Sequence, residues 1–158
     1  MQSRPDETKL RLATEDDVAT LVELVRAYHE GDGIESDPVE LPSVLMRLLT
    51  DSTKGRIWLI ELNADVVGYV AVCLGYSIEF RGDAVVDEIY LAPQRRGRGI
   101  GSRALALTIA ETAKLGAHAL HLEVDPDNEA AVRLYRRAGF ATRRYRLMSH
   151  RLRAGSRA

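Results

Sequence analysis

Hydrophobic residues recur along this chain at two spacings, alternate positions and every third or fourth, and the switches between them mark its elements. Leu10-Arg11-Leu12 opens a first strand, and Thr14 reads as a helix N-cap with Glu15, Asp16 and Asp17 in the first turn, where negative charge is favoured. Val18, Leu21, Val25 and Tyr28 follow at helical spacing until Gly31 and Gly33. A second helical segment runs roughly from Val39 to Leu49, its start restricted by Pro42. Ile57-Trp58-Leu59-Ile60 and Val66 to Val72 flank the turn Asn63-Ala64-Asp65 and read as an antiparallel hairpin. After the polar turn around Arg81-Gly82-Asp83, Ala84 to Leu91 forms the fourth strand, and Pro93 blocks its continuation.

In the second half, Leu105, Ile109 and Ala113 share one helical face, Gly116 stops that helix, and Ala119 to Val124 make a fifth strand. Asn128 caps a short helix with Ala131, Leu134, Tyr135 and Ala138 on one side and Gly139 as its left-handed exit. A last strand is expected within Ala141 to Leu152, before an Arg-rich tail. The order β-α-α-β-β-β-α-β-α-β, without repeat or linker, predicts a single mixed α/β domain over 1–158, with its core at residues 10–152 and loose ends at 1–7 and 153–158.

The densest chemistry lies between the fourth strand and the third helix, in Gln94-Arg95-Arg96-Gly97-Arg98-Gly99-Ile100-Gly101. Alternating glycines let the backbone turn tightly and remove the Cβ atoms that would hold an anion away from the amides. The first N–H groups of a helix have no internal partner and sit at the positive end of its dipole, so the run suits a pyrophosphate. A nucleotide P-loop would need a lysine, and none follows Gly101 until Lys114; a dinucleotide fingerprint would need a different glycine spacing.

Composition narrows the partners. Lys and Arg number 22 against 23 Asp and Glu, for a net charge of -1, so no global field recruits nucleic acid or an anionic membrane. No stretch approaches the length of a membrane-spanning helix. The single cysteine, Cys73, sits in an apolar run as a small hydrophobe, and with no signal peptide visible the expected compartment is the cytoplasm. The four histidines show no metal-ligand spacing, so no metal is expected.

Gln94, Gly97 and Gly99 fit Gln/Arg-x-x-Gly-x-Gly/Ala, which resembles the acetyl-CoA-binding motif of the GNAT superfamily of N-acetyltransferases. Farther on, Asn128 and Leu134-Tyr135-Arg136-Arg137-Ala138-Gly139-Phe140 resemble that family's second motif, N-x-x-A-x-x-L-Y-x-x-x-G-F. The resemblance implies the GNAT acyl-CoA N-acyltransferase fold, a central, mostly antiparallel sheet with splayed fourth and fifth strands flanked by helices. It implies that the backbone at Ile89, Tyr90 and Leu91 pairs with the pantetheine arm, with the Leu91 N–H as oxyanion donor. It further implies that Arg96, Gly97, Arg98, Gly99, Ile100, Gly101 and Ser102 hold the pyrophosphate, with Arg95 and Arg103 as further candidate cations, and that Asn128 and Tyr135 line the far side of acetyl-CoA.

Amide formation needs a neutral amine, a polarised thioester and a protonated leaving thiolate. Glu88 lies three residues before Leu91, and strict alternation puts it on one face with Val86 and Tyr90; a carboxylate in an apolar strand beside a cleft suits a general base. Glu123, on the fifth strand, competes for that role. The resemblance gives Tyr135 the protonation of the leaving thiolate. Tyr28, His29, Glu30, Asp32, Glu35, Asp37, Tyr76, Glu79, Asp87 and Glu88 fall in the acceptor regions of the family, and their acidic, aromatic mixture favours a small cationic primary amine, with His29 read as a helix-end or surface residue. The expected activity is direct acetyl transfer in a ternary complex. The alternatives are acetylation of a protein N-terminus or lysine, and a non-catalytic acyl-CoA-binding sensor; a homodimer is compatible with either.

Overall fold

Strands form here where side chains can be buried on both faces of a sheet, and the two most apolar runs of the chain occupy its middle. The computed structural model describes residues 7–152. β1 (Thr8–Leu12), β2 (Gly55–Leu62), β3 (Asp65–Gly75), β4 (Asp83–Leu91) and β5 (Ala119–Leu122) lie side by side in that order. The first three pairings are antiparallel, and β4 pairs with β5 in parallel. Helices α1 (Val18–Asp32) and α2 (Leu41–Thr50) pack on one face and α3 (Ile100–Lys114) on the other, while α4 (Glu129–Arg137) follows β5. The expected fold class is therefore observed.

Alternation along the central strands builds both layers. Ile57 and Leu59 of β2 join Tyr69 and Ala71 of β3 against Leu21, Val25, Leu41 and Leu45 of α1 and α2. Trp58, Val70 and Val72 face the other way, with Ala84, Val86, Leu115 and Leu120, and Ile60 packs with Ile100 and Ala104 of α3. Each such aliphatic side chain, once buried, contributes roughly 1.5–3 kcal/mol, and a one-residue slip would exchange the two faces. The β2–β3 hairpin closes through Asn63 (φ 53°) and Ala64 (φ 75°), both left-handed, the conformation whose twist matches the flanking strands.

Three expectations are corrected. Val86 does not share a face with Glu88: Ala71 lies opposite Glu88 and Val72 opposite Val86, so Asp87 is an extra residue bulged out of the ladder and reverses the phase of β4. Val86 therefore packs with Val72 on the α3 side, while Tyr90 packs with Tyr69 on the α1 side. The fifth strand ends at Leu122, not Val124, because its pairing with β4 stops at Val86↔Leu122. Finally, Ala141–Leu152 forms no strand and is exposed throughout. Consecutive arginines at Arg143 and Arg144 would put one charge on each face of a strand, so neither face would be wholly apolar. Arg143 instead donates twice to Glu79 (2.9 and 3.1 Å) and stacks on Phe80.

The start of α1 is tied to the sheet by charge. The Asp17 carboxylate accepts from the Thr14 N–H (2.8 Å) and from both terminal nitrogens of Arg11 (2.9 and 3.0 Å), whose Nε donates to Glu61. The Arg11 hydrogen bonds hold the Asp17 carboxyl down from its ordinary 3.8 to about 2. A carboxylate depressed in the folded state adds stability that is present above its ordinary value and lost as pH falls towards about 2. Asp17→Asn should cost about 1 kcal/mol at neutral pH and flatten the loss of stability on acidification below about pH 4, as read by denaturant unfolding at several pH values. An unchanged acid limb would contradict this linkage.

Candidate active site

β4 loses its neighbour on one side halfway along its length. Asp83 to Val86 pair with Ala119 to Leu122, but from Asp87 to Leu91 only β3 remains alongside. The Ala92 N–H donates to the Val67 carbonyl (2.9 Å), so the backbone groups of Tyr90 and Ala92 face β3 while those of Ile89 and Leu91 face the gap. The Leu91 carbonyl points there and accepts from Arg96 Nε (2.9 Å), whose guanidinium lies 5.7 Å from the Tyr90 ring centre. At this end β3 approaches closely: a Cβ on Gly68 would stand 2.1 Å from the Tyr90 carbonyl oxygen. Any side chain at Gly68 would push the free stretch of β4 out of place.

Beyond Leu91 a short turn over Pro93–Arg95 leads into α3. Gly97 (φ +75°) and Gly99 (φ +76°) are both left-handed, and a Cβ would meet nothing within 4 Å at Gly97 and only Arg103 Nη1, at 3.8 Å, at Gly99. Glycine is required there by conformation, and the space it leaves is open. Fully buried Ile100 anchors the first turn of α3, so the amides from Gly99 to Ser102 stand at a fixed helix N-terminus. The arginines divide: Arg95 reaches Asp65 at 3.9 Å, and Arg103 donates to Thr8 and to the Arg98 carbonyl. Arg96 turns towards the gap.

α4 stands across this gap. Leu134 Cδ2 lies 3.9 Å from where a Gly101 Cβ would be, and Asn128 accepts from the Ala131 N–H (3.1 Å), so its carboxamide oxygen is committed to capping the helix. Tyr135 packs edge-on against Phe140 and is held above the ordinary phenol range by burial and then by Asp32. Tyr28 on α1 is likewise pushed up to about 12 by burial, with Asp32 and Glu88 adding to it. Both phenols therefore keep their protons throughout the neutral range.

Glu88 lies on the α1 side of the sheet. Its Oε1 meets His29 Nε2 at 2.5 Å, and its Oε2 accepts from the Tyr69 hydroxyl at 2.5 Å. Sequence reasoning missed both partners. His29 continues Leu21 and Val25 at four-residue spacing, which places it on the inner face of α1, and Tyr69 is a hydroxyl-bearing ring inside an apolar run. Glu123 lies one residue past β5 and is exposed. Asp87 reaches solvent along one flank, yet its carboxyl is pushed up by partial desolvation and by the charges of Glu88 and Glu123.

Beside His29 an open groove of about 760 Å³ is lined by Glu30, Glu35 and Asp37 and also by Arg26 and Arg151. Tyr76 and Glu79 are not brought to it; they lie beyond the opposite end of β4, where Glu79 is taken by Arg143. Among the described residues, no group of three or more His, Cys, Asp or Glu side chains is placed to hold a metal ion, and no helix is long and apolar enough to cross a membrane.

Comparison with known proteins agrees with this architecture. An uncharacterized N-acetyltransferase of Methanocaldococcus jannaschii is 30% identical over 134 residues, 83% of this chain and 59% of the relative. Spermidine N(1)-acetyltransferase of Escherichia coli is 29% identical over 105 residues, 65% of this chain and 54% of the relative. The chain thus spans somewhat over half the length of these two relatives. The crystal structure of an integron cassette protein from a salt-marsh metagenome superposes with a TM-score of 0.81 at 30% identity, over 92% of this chain and 91% of that one. The Acetyltransferase (GNAT) family profile matches residues 19–140, a span that runs from α1 through the glycine turn to the end of the second motif, and the chain belongs to this family.

Proposed function

We propose that this protein transfers the acetyl group of acetyl-CoA to a primary amine of a small cationic molecule, by direct attack while both are bound. One observation carries the reading: the gap between β4 and β5 is floored by backbone with no strand beside it and ends at a glycine turn, with Glu88 on the strand itself and Tyr135 on α4 across from it. These residues fit acetyl-CoA. The amides from Gly97 to Ser102 would take the pyrophosphate at the α3 N-terminus, with Arg96 and Arg98 as neighbouring cations. The free backbone edge at Ile89, Tyr90 and Leu91 would pair with the amides of the pantetheine arm.

Acetyl-CoA, when bound, supplies the acyl group as a thioester. Glu88 accepts a proton from the incoming ammonium, directly or through water, and so makes the nitrogen nucleophilic. The Leu91 N–H, facing the gap with no strand beside it, receives the charge that develops on the carbonyl oxygen, a contribution on the order of 3 kcal/mol for one such donor. Tyr135, a phenol kept protonated by its buried setting, gives its proton to the departing sulfur. The groove beside His29 sets Glu30, Glu35 and Asp37 against Arg26 and Arg151, a lining with one more acid than base that favours a cationic acceptor; the spermidine acetyltransferase relative supports that class of substrate.

Purified protein should turn over acetyl-CoA with at least one amine in a panel of spermidine, an aminoglycoside and a lysine-containing peptide. Tight acetyl-CoA binding with no turnover on any of them would favour an acyl-CoA sensor. Gly99→Glu puts volume and negative charge where the pyrophosphate would sit, and forces φ +76° on a residue with a Cβ. Calorimetry on the folded variant should show acetyl-CoA affinity reduced by about tenfold or more, equal to about 1.4 kcal/mol; unchanged affinity would remove the cradle assignment. Tyr135→Phe keeps the ring and loses the proton, so turnover at saturating acetyl-CoA should fall by about a hundredfold or more. A loss below about threefold would leave Tyr135 as a packing residue.

A further inference from the structure

The carboxylate of Glu88 does not stand alone. It projects to the α1 side because Asp87 is bulged out of the ladder, and there it is caught between two side chains from different elements. We propose that His29 of α1 and Tyr69 of β3 are positioning residues for acetyl transfer, holding Glu88 between two donors with the His29 imidazole fixed as its Nε2–H tautomer. The proposal rests on the reading of Glu88 as the proton acceptor.

Hydrogen-bond chemistry assigns the protons. A carboxylate is acceptor-only, so the Tyr69 hydroxyl donates to Oε2, and the 2.5 Å contact between His29 Nε2 and Oε1 requires a proton on Nε2. The other ring nitrogen, Nδ1, is buried and has no hydrogen-bond partner among the described residues. A second proton there would be a buried donor without an acceptor among the described residues, so the proposed tautomer is Nε2–H, with the lone pair on Nδ1. Being enclosed, Nδ1 is also out of reach of a substrate in the groove, although other parts of His29 line that groove. The histidine therefore serves the carboxylate, in contrast to a triad in which a carboxylate orients a histidine.

Tyr69 is fully buried, and both burial and Glu88 hold its hydroxyl in the protonated state, so it is a permanent donor. One bond to each oxygen fixes the plane of a side chain that would otherwise turn about three torsions, and leaves a lone pair on each oxygen for an acceptor amine. In the reaction an N–H bond of the ammonium breaks and its proton joins a Glu88 oxygen. His29 and Tyr69 keep theirs.

Two measurements test this. In long-range proton–nitrogen spectra of the 15N-labelled protein near neutral pH, His29 should appear as a single Nε2–H tautomer, whereas exposed His118 and His150 average between forms. An averaged His29 would overturn the proposal whatever the acceptor. With spermidine as acceptor, His29→Leu and Tyr69→Phe should each lower kcat by about tenfold or more with the KM for acetyl-CoA within about twofold, and His29→Gln, which restores an N–H near the position of Nε2, should recover to within about threefold. In a Glu88→Gln background neither substitution should add more than about twofold, because residues that act through one group are not additive. Fully additive losses, or unchanged kcat in both single variants beside a slow Glu88→Gln enzyme, would show that they do not act through Glu88. Full activity of Glu88→Gln itself would instead sink the reading of Glu88 as the base, and the tautomer spectrum would then decide the hydrogen-bonded arrangement by itself.

Discussion

Backbone polar groups inside a protein have to find partners, and in this molecule one stretch of the sheet has a neighbouring strand on one side only. β4 and β5 part company after Val86 and Leu122, and from Asp87 to Leu91 the strand carries donors and acceptors aimed into a gap. An ordinary exposed edge is a liability that proteins cover. Here the edge lies between α4 and the glycine turn. Each other part of the site is placed by that parting. Gly68 lets β3 come close enough to hold the free stretch straight, Ile100 fixes the helix whose amides end the gap, and Leu134 brings α4 over its far side.

The bulge at Asp87 makes the second contribution. By shifting β4 one residue out of phase, it keeps Val86 in the core on the α3 side and delivers Glu88 to the opposite side, between His29 and Tyr69. A carboxylate on the α3 side would have faced the apolar cluster of Val70, Val72 and Val86. The one-residue irregularity thus separates the two tasks of the strand. In the function proposed above, its backbone edge would serve the acyl donor and its α1 face the amine.

Much of this was legible in the residues. The turn from Gly97 to Gly101 between a strand and a helix is a local pattern, and the left-handed angles at Gly97 and Gly99 are what those glycines announce. The hairpin, the Asn128 cap and the Leu21 and Val25 face of α1 follow from residue type and spacing, whereas Thr14 opens a short turn over Glu15–Asp17 and α1 itself begins at Val18. The bulge was not legible, because nothing in Val86-Asp87-Glu88 marks an extra residue; it exists only in the register against β3. His29 and Tyr69 were missed for the same kind of reason, since their role depends on a contact across 59 residues in one case and 19 in the other. The strand expected within Ala141–Leu152 does not form, and that segment is exposed, with Arg143 and Arg144 side by side.

The central claim is that the free edge of β4 is the acyl-donor site, and its most direct test is amide hydrogen exchange at Leu91, followed by NMR with and without acetyl-CoA. The Leu91 N–H should exchange readily in the free protein and slow by about tenfold or more at saturation, together with the amides of Gly97 to Ser102, while the Ala92 N–H, already bonded to Val67, changes little. Saturable acetyl-CoA binding that leaves the Leu91 amide as exposed as before would contradict the account.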